Sequence, residues 1–214
     1  SVNVFVVRDG DETLVVDSGT PDDFNDTRLM RALLGLGVDP ERVTVFFTHA
    51  HIDHTGLARE LAEAGARVVV PEGVLADMRR FAVPAWRETM ARRLRAEGFS
   101  ADESVELADV IWDHARNFER EGVPFETVAA GERLRCGRWA LEVVPMPGHT
   151  PGQCALWEPR SRTAFLGDAV LFLCSTCIGF WDEGDDPIGE QIATLRALAG
   201  RGVEHALMGH GLQG

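Results

Sequence analysis

A chain of 214 residues, 45% hydrophobic and 26% charged, has the balance of a globular protein long enough to bury a full core. Its formal net charge of −13 excludes a broadly basic nucleic-acid face, and no apolar run reaches the roughly 20 residues that cross a bilayer. It has neither lysine nor tyrosine, which excludes Schiff-base chemistry and a phenolic acid.

Val2 to Val7 reads as a strand, Arg8-Asp9-Gly10-Asp11-Glu12 as a hairpin turn and Thr13 to Val16 as the returning strand. That strand delivers Asp17-Ser18-Gly19. A carboxylate ending a buried strand either faces a site or caps a turn; an aspartate that orients neighbouring ligands does both. After the polar turn at Pro21-Asp22-Asp23, Asp26 to Leu36 has helical periodicity, with Leu29, Leu33 and Leu34 on one face and Gly37 closing it. The β-branched run Val43 to Phe47 leads into Thr48-His49-Ala50-His51-Ile52-Asp53-His54-Thr55-Gly56. A helix over Leu57 to Ala64 and a strand over Arg67 to Val70 follow, so the first third alternates as an α/β fold does.

Residues two apart in an extended stretch point the same way, so His49 and His51 can share one ion. Asp53 and His54 fall at the entry to the helix and face a second point. Imidazole and carboxylate together suit zinc, iron or manganese better than calcium or magnesium.

From Pro71 to Phe125 the chain is charged and helical, over Val74 to Phe81, Ala85 to Glu97 and Ser104 to Arg120. Phe81, Trp86, Met90, Phe99, Trp112 and Phe118 give it a large apolar content. Within one domain over 1–214, this is expected to be a helical insertion over about 72–125 that covers the active site. His114 lies in it at ordinary helical spacing. Glu126 to Val128 and Arg133 to Leu134 are expected to open a second, strand-rich half, continued by Trp139 to Val144.

Pro145-Met146-Pro147-Gly148-His149-Thr150-Pro151-Gly152 is a stiff loop with a histidine at its tip. Cys154 to Trp157 and Thr163 to Leu166 are paired strands, and Asp168 ends the second as Asp17 ends its own. The apolar, irregular stretch Ala169 to Glu183 reads as a loop lining a pocket, with Phe180 and Trp181 as candidate substrate contacts. Pro187 to Ala199 is a helix with Ile188, Ile192, Leu195 and Leu198 on one face. A last strand over Val203 to Met208 delivers His210 between two glycines; His205, before the strand end, is the weaker candidate. Cys136, Cys154, Cys174 and Cys177 are expected to be free thiols, and the CxxC spacing of Cys174 and Cys177 has no second pair to complete a zinc site. No basic stretch precedes an apolar one at Ser1 to Phe5, so a cytoplasmic location is expected.

The strand-end candidates are His49, His51, Asp53, His54, His149, Asp168 and His210. One zinc takes about four ligands, so seven divide between two ions: His49, His51 and His149 for one, Asp53, His54 and His210 for the other, with Asp168 bridging.

The HxHxDH run of His49 to His54, the PGHTPG loop around His149, the LGD of Asp168 and the GHG around His210 resemble the metallo-β-lactamase superfamily. The LVVDSG that ends in Asp17-Ser18-Gly19 is similar to the family's first motif, and the likeness covers nearly the whole chain apart from the helical segment. It implies a four-layered αβ/βα sandwich with metals at the edge between two sheets. Some true β-lactamases carry a cysteine where Asp168 stands, and flavodiiron proteins a carboxylate where His51 stands. The familiar homoserine-lactone lactonases use a tyrosine that this chain lacks, transfer-RNA-processing members are more basic, and glyoxalase II adds a glutathione-binding helical domain not found in these residues. The small glyoxalase-II-like and LACTB-like hydrolases are the group it resembles.

That resemblance implies a dinuclear hydrolase with two zinc ions, or iron or manganese in their place. A metal-bound hydroxide would cleave a thioester or related activated ester or lactone, with Asp53 steering the nucleophile or taking its proton. The expected partner is a small molecule with an apolar acyl group; no nucleic acid or membrane is expected, and a homodimer is left open. Two alternatives stand beside it: a persulfide dioxygenase with one iron on His49, His149 and Asp168, and a non-catalytic, metal-stabilised binding module.

Overall fold

Short β-branched and aromatic runs, punctuated by glycine turns, build two five-stranded sheets. A computed structural model describes residues 2–20, 26–116, 122–172, 174–179, 181–182 and 184–211. The first sheet is ordered β1 (Phe5–Asp9), β2 (Glu12–Val16), β3 (Val43–Phe46), β4 (Arg67–Pro71) and β5 (Phe125–Val128). β1 and β2 form an antiparallel hairpin closed at Gly10, whose φ of 61° suits glycine; β2 to β5 run parallel. The second sheet is built from β6 (Arg133–Cys136), β7 (Trp139–Pro145), β8 (Cys154–Glu158), β9 (Thr163–Gly167) and β10 (His205–Met208), in the order β10-β9-β8-β7-β6. Only β9 and β10 pair in parallel there.

The helices are α1 (Asp26–Gly35), α2 (Ile52–Thr55), α3 (Ala58–Glu63), α4 (Glu72–Ala82), α5 (Pro84–Ala96), α6 (Ala101–Arg116) and α7 (Pro187–Arg201). Alternation along each strand divides the apolar side chains between layers. Leu14, Val16, Phe46 and Val69 meet Leu141, Val143, Leu156 and Phe165 between the sheets. Val15, Val45, Val68 and Val70 turn outward to Leu29, Leu33, Leu61 and Val74 of the helices. Val144, Ala155, Trp157 and Leu166 turn outward on the second sheet, where Leu198 of α7 packs. The result is an αβ/βα sandwich of four layers. Each fully buried Val, Leu or Phe contributes roughly 1.5–3 kcal/mol over leaving it in water.

Four readings of the sequence need correction. Phe125–Val128 does not open the second half: β5 pairs parallel to β4 and completes the first sheet. Parallel neighbours need a long crossover, and α4 to α6 lie in that connection. In α1, Leu29 and Leu33 are buried but Leu34 is 65% exposed, so the buried stripe is narrower than the pattern suggested. In α7, Ile188, Ile192 and Leu195 are 54%, 44% and 42% exposed, while Pro187, Gln191 and Thr194 are buried. Gln191 Nε2 donates to the Ala169 carbonyl and Thr194 Oγ1 to the Pro147 carbonyl, both at 2.7 Å. Those loop carbonyls need donors, which isoleucine cannot supply. The first strand also starts later, at Phe5, with Val2 in an isolated bridge to His210. The turn at Pro21-Asp22-Asp23 and the helical stretch from Asn117 to Arg120 lie outside the described residues.

At the mouth of the sandwich the first turn of α4 crosses the loop after β7. A Cβ on Gly152 would collide with the Gly73 carbonyl carbon and oxygen, and those are backbone atoms that cannot rotate away. Gly152→Ala is therefore expected to cost about 1–3 kcal/mol as overpacking. Urea unfolding of the two proteins measures it, and an unchanged midpoint would show the crossing to be loose.

Candidate metal centre

Strand direction assembles the site. β2 and β3 run parallel in one sheet; β7, β9 and β10 share a direction in the other, because β8 reverses between β7 and β9. The C-terminal ends of these five strands carry Asp17, the His49–His54 segment, His149, Asp168 and His210 to one edge. Backbone bonds stitch that edge: Asp17 N to Phe46 O at 2.9 Å, Cys154 N to Thr48 O at 2.9 Å and Gly209 N to Gly167 O at 2.7 Å. Glycine is required where side chains crowd. A Cβ on Gly209 would strike Asp168 and His54, and one on Gly167 would strike Thr48.

Asp17 governs the histidines from beneath. Its carboxylate accepts from Thr48 N at 2.8 Å, Thr48 Oγ1 at 2.9 Å and His54 Nδ1 at 2.8 Å. Because the Thr48 hydroxyl donates to Asp17, its oxygen is left to accept from His49 Nδ1, 3.0 Å away. His149 Nδ1 donates to the Cys177 carbonyl at 2.6 Å. These bonds assign the Nδ1–H tautomer to His49, His54 and His149, and turn the lone pair of each Nε2 toward the site.

The lone pairs fall into two groups. His49 Nε2 and His149 Nε2 lie 3.1 and 3.0 Å from His51 Nδ1. One proton on that nitrogen can satisfy only one of them. His54 Nε2 lies 3.2 Å from His210 Nε2, which is 3.1 Å from Asp53 Oδ2. Asp168 spans the two groups, with Oδ1 3.5 Å from His54 Nε2 and Oδ2 3.3 Å from His210 Nε2 and 3.7 Å from His149 Nε2. Among the described residues, Asp168 Oδ1 is buried with no hydrogen-bond partner. Converging lone pairs and a buried, unbonded carboxylate oxygen are left unsatisfied by the protein alone and would be satisfied by cations. The donors of His49, His51 and His149, and of Asp53, His54 and His210, lie close enough for one ion each. The histidine and aspartate groups thus fit a dinuclear metal site.

Electrostatics favours the protonation states that metal ligands need at most of these groups. Burial, reinforced by neighbouring histidines, holds His49 well below its ordinary value and pushes His51 down to about 3. Burial also lowers His149, against the pull of the Cys177 carbonyl. Burial opposes ionisation of Asp53 and Asp168, but the surrounding histidines, His210 first, outweigh it and hold both below the usual carboxylate range. His54 goes the other way: burial disfavours its cation, yet Asp17, Asp168 and Asp53 raise its affinity for a proton. Positive charge is thus favoured where Asp53, His54 and His210 meet.

Trp181 is half-buried beside the first group, its ring 6.0 Å from that of His51, and its indole N–H donates to the His149 carbonyl at 3.1 Å. Phe180 and the side chain of His114 lie outside the described residues, and His205 is exposed. Sequence reading missed the Thr48 relay, although a threonine next to a ligand histidine was there to be weighed. It also missed Asp77 of α4. That carboxylate is buried, accepts from Gly152 N at 2.6 Å, and is pushed up to about 6 by burial, against the Gly152 N–H and Arg80.

A family model described as the metallo-beta-lactamase superfamily matches residues 1–210. A relative from Aquifex aeolicus (strain VF5) is 27% identical over 187 residues, covering 85% of this chain and 70% of that one. A protein of Gallus gallus named acyl-coenzyme A thioesterase MBLAC2 is 25% identical, over 78% of this chain; the chain spans only 57% of its length. The solved structure of a metallo-beta-lactamase family protein from Thermus thermophilus superposes with a TM-score of 0.80 at 27% identity, over 99% of this chain and 69% of that one.

Asp17→Ala removes the acceptor that fixes His54 and Thr48. It is expected to weaken metal affinity by about 10–100-fold, read by chelator competition; wild-type affinity would show the relay to be idle. Asp77 makes a second prediction. Its folded carboxyl keeps its proton up to about pH 6, whereas the unfolded one loses it near 3.8, so the wild type loses stability as pH rises through that window. Asp77→Asn lacks this loss. Relative to wild type it gains on the order of 2–3 kcal/mol between pH 4 and 7, measured by urea unfolding at a series of pH values, and a pH-independent difference would refute the assignment.

Proposed function

The chain belongs to the metallo-β-lactamase superfamily, and from that premise we propose that it is a dinuclear metal-dependent hydrolase of thioesters or related activated acyl compounds. The observation that carries this reading is the sharing of Asp168 between two complete groups of donors. A persulfide dioxygenase with one iron would leave Asp53, His54 and His210 facing each other without an ion.

Two zinc ions, or iron or manganese, would supply a nucleophilic water at neutral pH and polarise the acyl carbonyl. His49, His51 and His149 would hold the first, Asp53, His54 and His210 the second, with Asp168 joining them. Asp53 is the carboxylate best placed for proton work. Its side chain is a third exposed, against 8% for that of Asp168, so it reaches the open side of the site. There it can orient a water and accept its proton, and no serine or cysteine nucleophile is needed. Trp181 gives the first group an apolar flank, which favours an acyl chain over a sugar or a phosphate. The distant likeness to a thioesterase points the same way. The charge of −13 disfavours nucleic acid as a partner. No helix among the described residues is long and apolar enough to cross a membrane. All four cysteines are free, which suits a reducing compartment such as the cytoplasm.

The purified, metal-loaded protein should hydrolyse members of a thioester panel. His51→Ala should abolish turnover, and Asp53→Asn should lower kcat by about 100-fold or more. No turnover by the wild type on any thioester, ester or lactone, or full activity in His51→Ala, would refute the proposal.

A further inference from the structure

Two side chains outside the seven-residue group grip the loop that carries His149. We infer that Asp77 and Trp181 are positioning residues for His149, so that the helical segment after β4 sets the geometry of the first metal subsite. The inference rests on the dinuclear reading above.

One grip is on the far end of the loop. The Asp77 carboxylate accepts from Gly152 N at 2.6 Å, three residues beyond His149, where Gly73 and Gly152 already cross at closest approach. Asp77 is 1% exposed, so little water competes for that hydrogen bond. Arg80 attracts it, and Asp185 and Glu190 repel it.

The other grip is on His149 itself. Its carbonyl accepts the Trp181 indole N–H at 3.1 Å. Trp181 is held in turn by the helical segment: its ring centroid is 5.0 Å from that of Phe81 in α4 and 6.4 Å from that of Trp86 in α5, nearly parallel to the latter at 14°. Phe81 and Trp86 are buried, so this is a fixed anchor. The imidazole is then pinned at Nδ1 by the Cys177 carbonyl, which leaves Nε2 a single direction, toward His51. Among the described residues, Trp181 hydrogen-bonds to His149 and to no other of the seven, and Asp77 to none of them. Loss of either grip should therefore be felt at one subsite and not at both.

Stepwise cobalt(II) binding to the full chain, by competition with a chromophoric chelator and by visible absorption, tests this. Trp181→Phe keeps the aromatic packing and removes the N–H; Asp77→Ala removes the acceptor, and Asp77→Asn keeps one. The expected result is two binding steps in the wild type. One of them is weakened at least tenfold, with altered visible bands, in Trp181→Phe and in Asp77→Ala. The other step is unchanged, and Asp77→Asn restores the wild-type pattern. Two wild-type steps in both Trp181→Phe and Asp77→Ala, or equal weakening of both steps, would overturn the inference and leave the dinuclear reading intact. Fewer than two steps in the wild type would overturn that reading and the inference together.

Discussion

One buried carboxylate underlies the whole centre. Asp17 sits at the end of β2, 1% exposed, in a left-handed backbone conformation (φ 62°) that non-glycine residues seldom adopt. Its two oxygens collect the Thr48 amide, the Thr48 hydroxyl and His54 Nδ1. Through Thr48 it also dictates which nitrogen of His49 bears the proton. A single group thus sets the tautomers of two histidines that belong to different metal subsites. Strain and burial of this kind persist only where the surrounding structure enforces them; here the two parallel strands β2 and β3 do so.

The two sheets divide the labour. The first supplies the histidine-rich segment and the carboxylate that orients it. The second supplies His149, Asp168 and His210 from three strands that all point toward that edge. Hydrophobic burial between the sheets brings the halves together, and the Cys154–Thr48 and Asn3–Gly209 backbone bonds tie one to the other. The fold is therefore a clamp in which neither half holds all the donors. Burial then favours neutral His49, His51 and His149, the surrounding histidines hold Asp53 and Asp168 ionised, and the carboxylates around His54 favour positive charge there. That combination is the one two divalent ions would require.

Much of this was legible in the residues, for physical reasons. The strands ending in Asp17 and Asp168 are short, apolar and followed by glycine or polar turns, so their ends could be placed within a residue or two. The proximity of His49 to His51 followed from the two-residue period of extended chain, and the rigidity of the His149 loop from its prolines and glycines. Periodicity failed where polar contacts outrank burial. In α7, Gln191 and Thr194 face inward because loop carbonyls need donors, and this leaves Ile188, Ile192 and Leu195 in water. It also failed where pairing is remote in sequence. Nothing in Phe125–Val128 says that its neighbour is β4 and not β6. Asp77 was illegible because its partner is a backbone N–H contributed 75 residues later.

The central claim is that two groups of donors, joined by Asp168, hold two ions. Anomalous diffraction at the metal absorption edges, from crystals of the protein as purified without added metal, tests it most directly. Two peaks are predicted, one among His49, His51 and His149 and one among Asp53, His54 and His210, with Asp168 touching both. A single peak confined to His49, His149 and Asp168, or none, would contradict it.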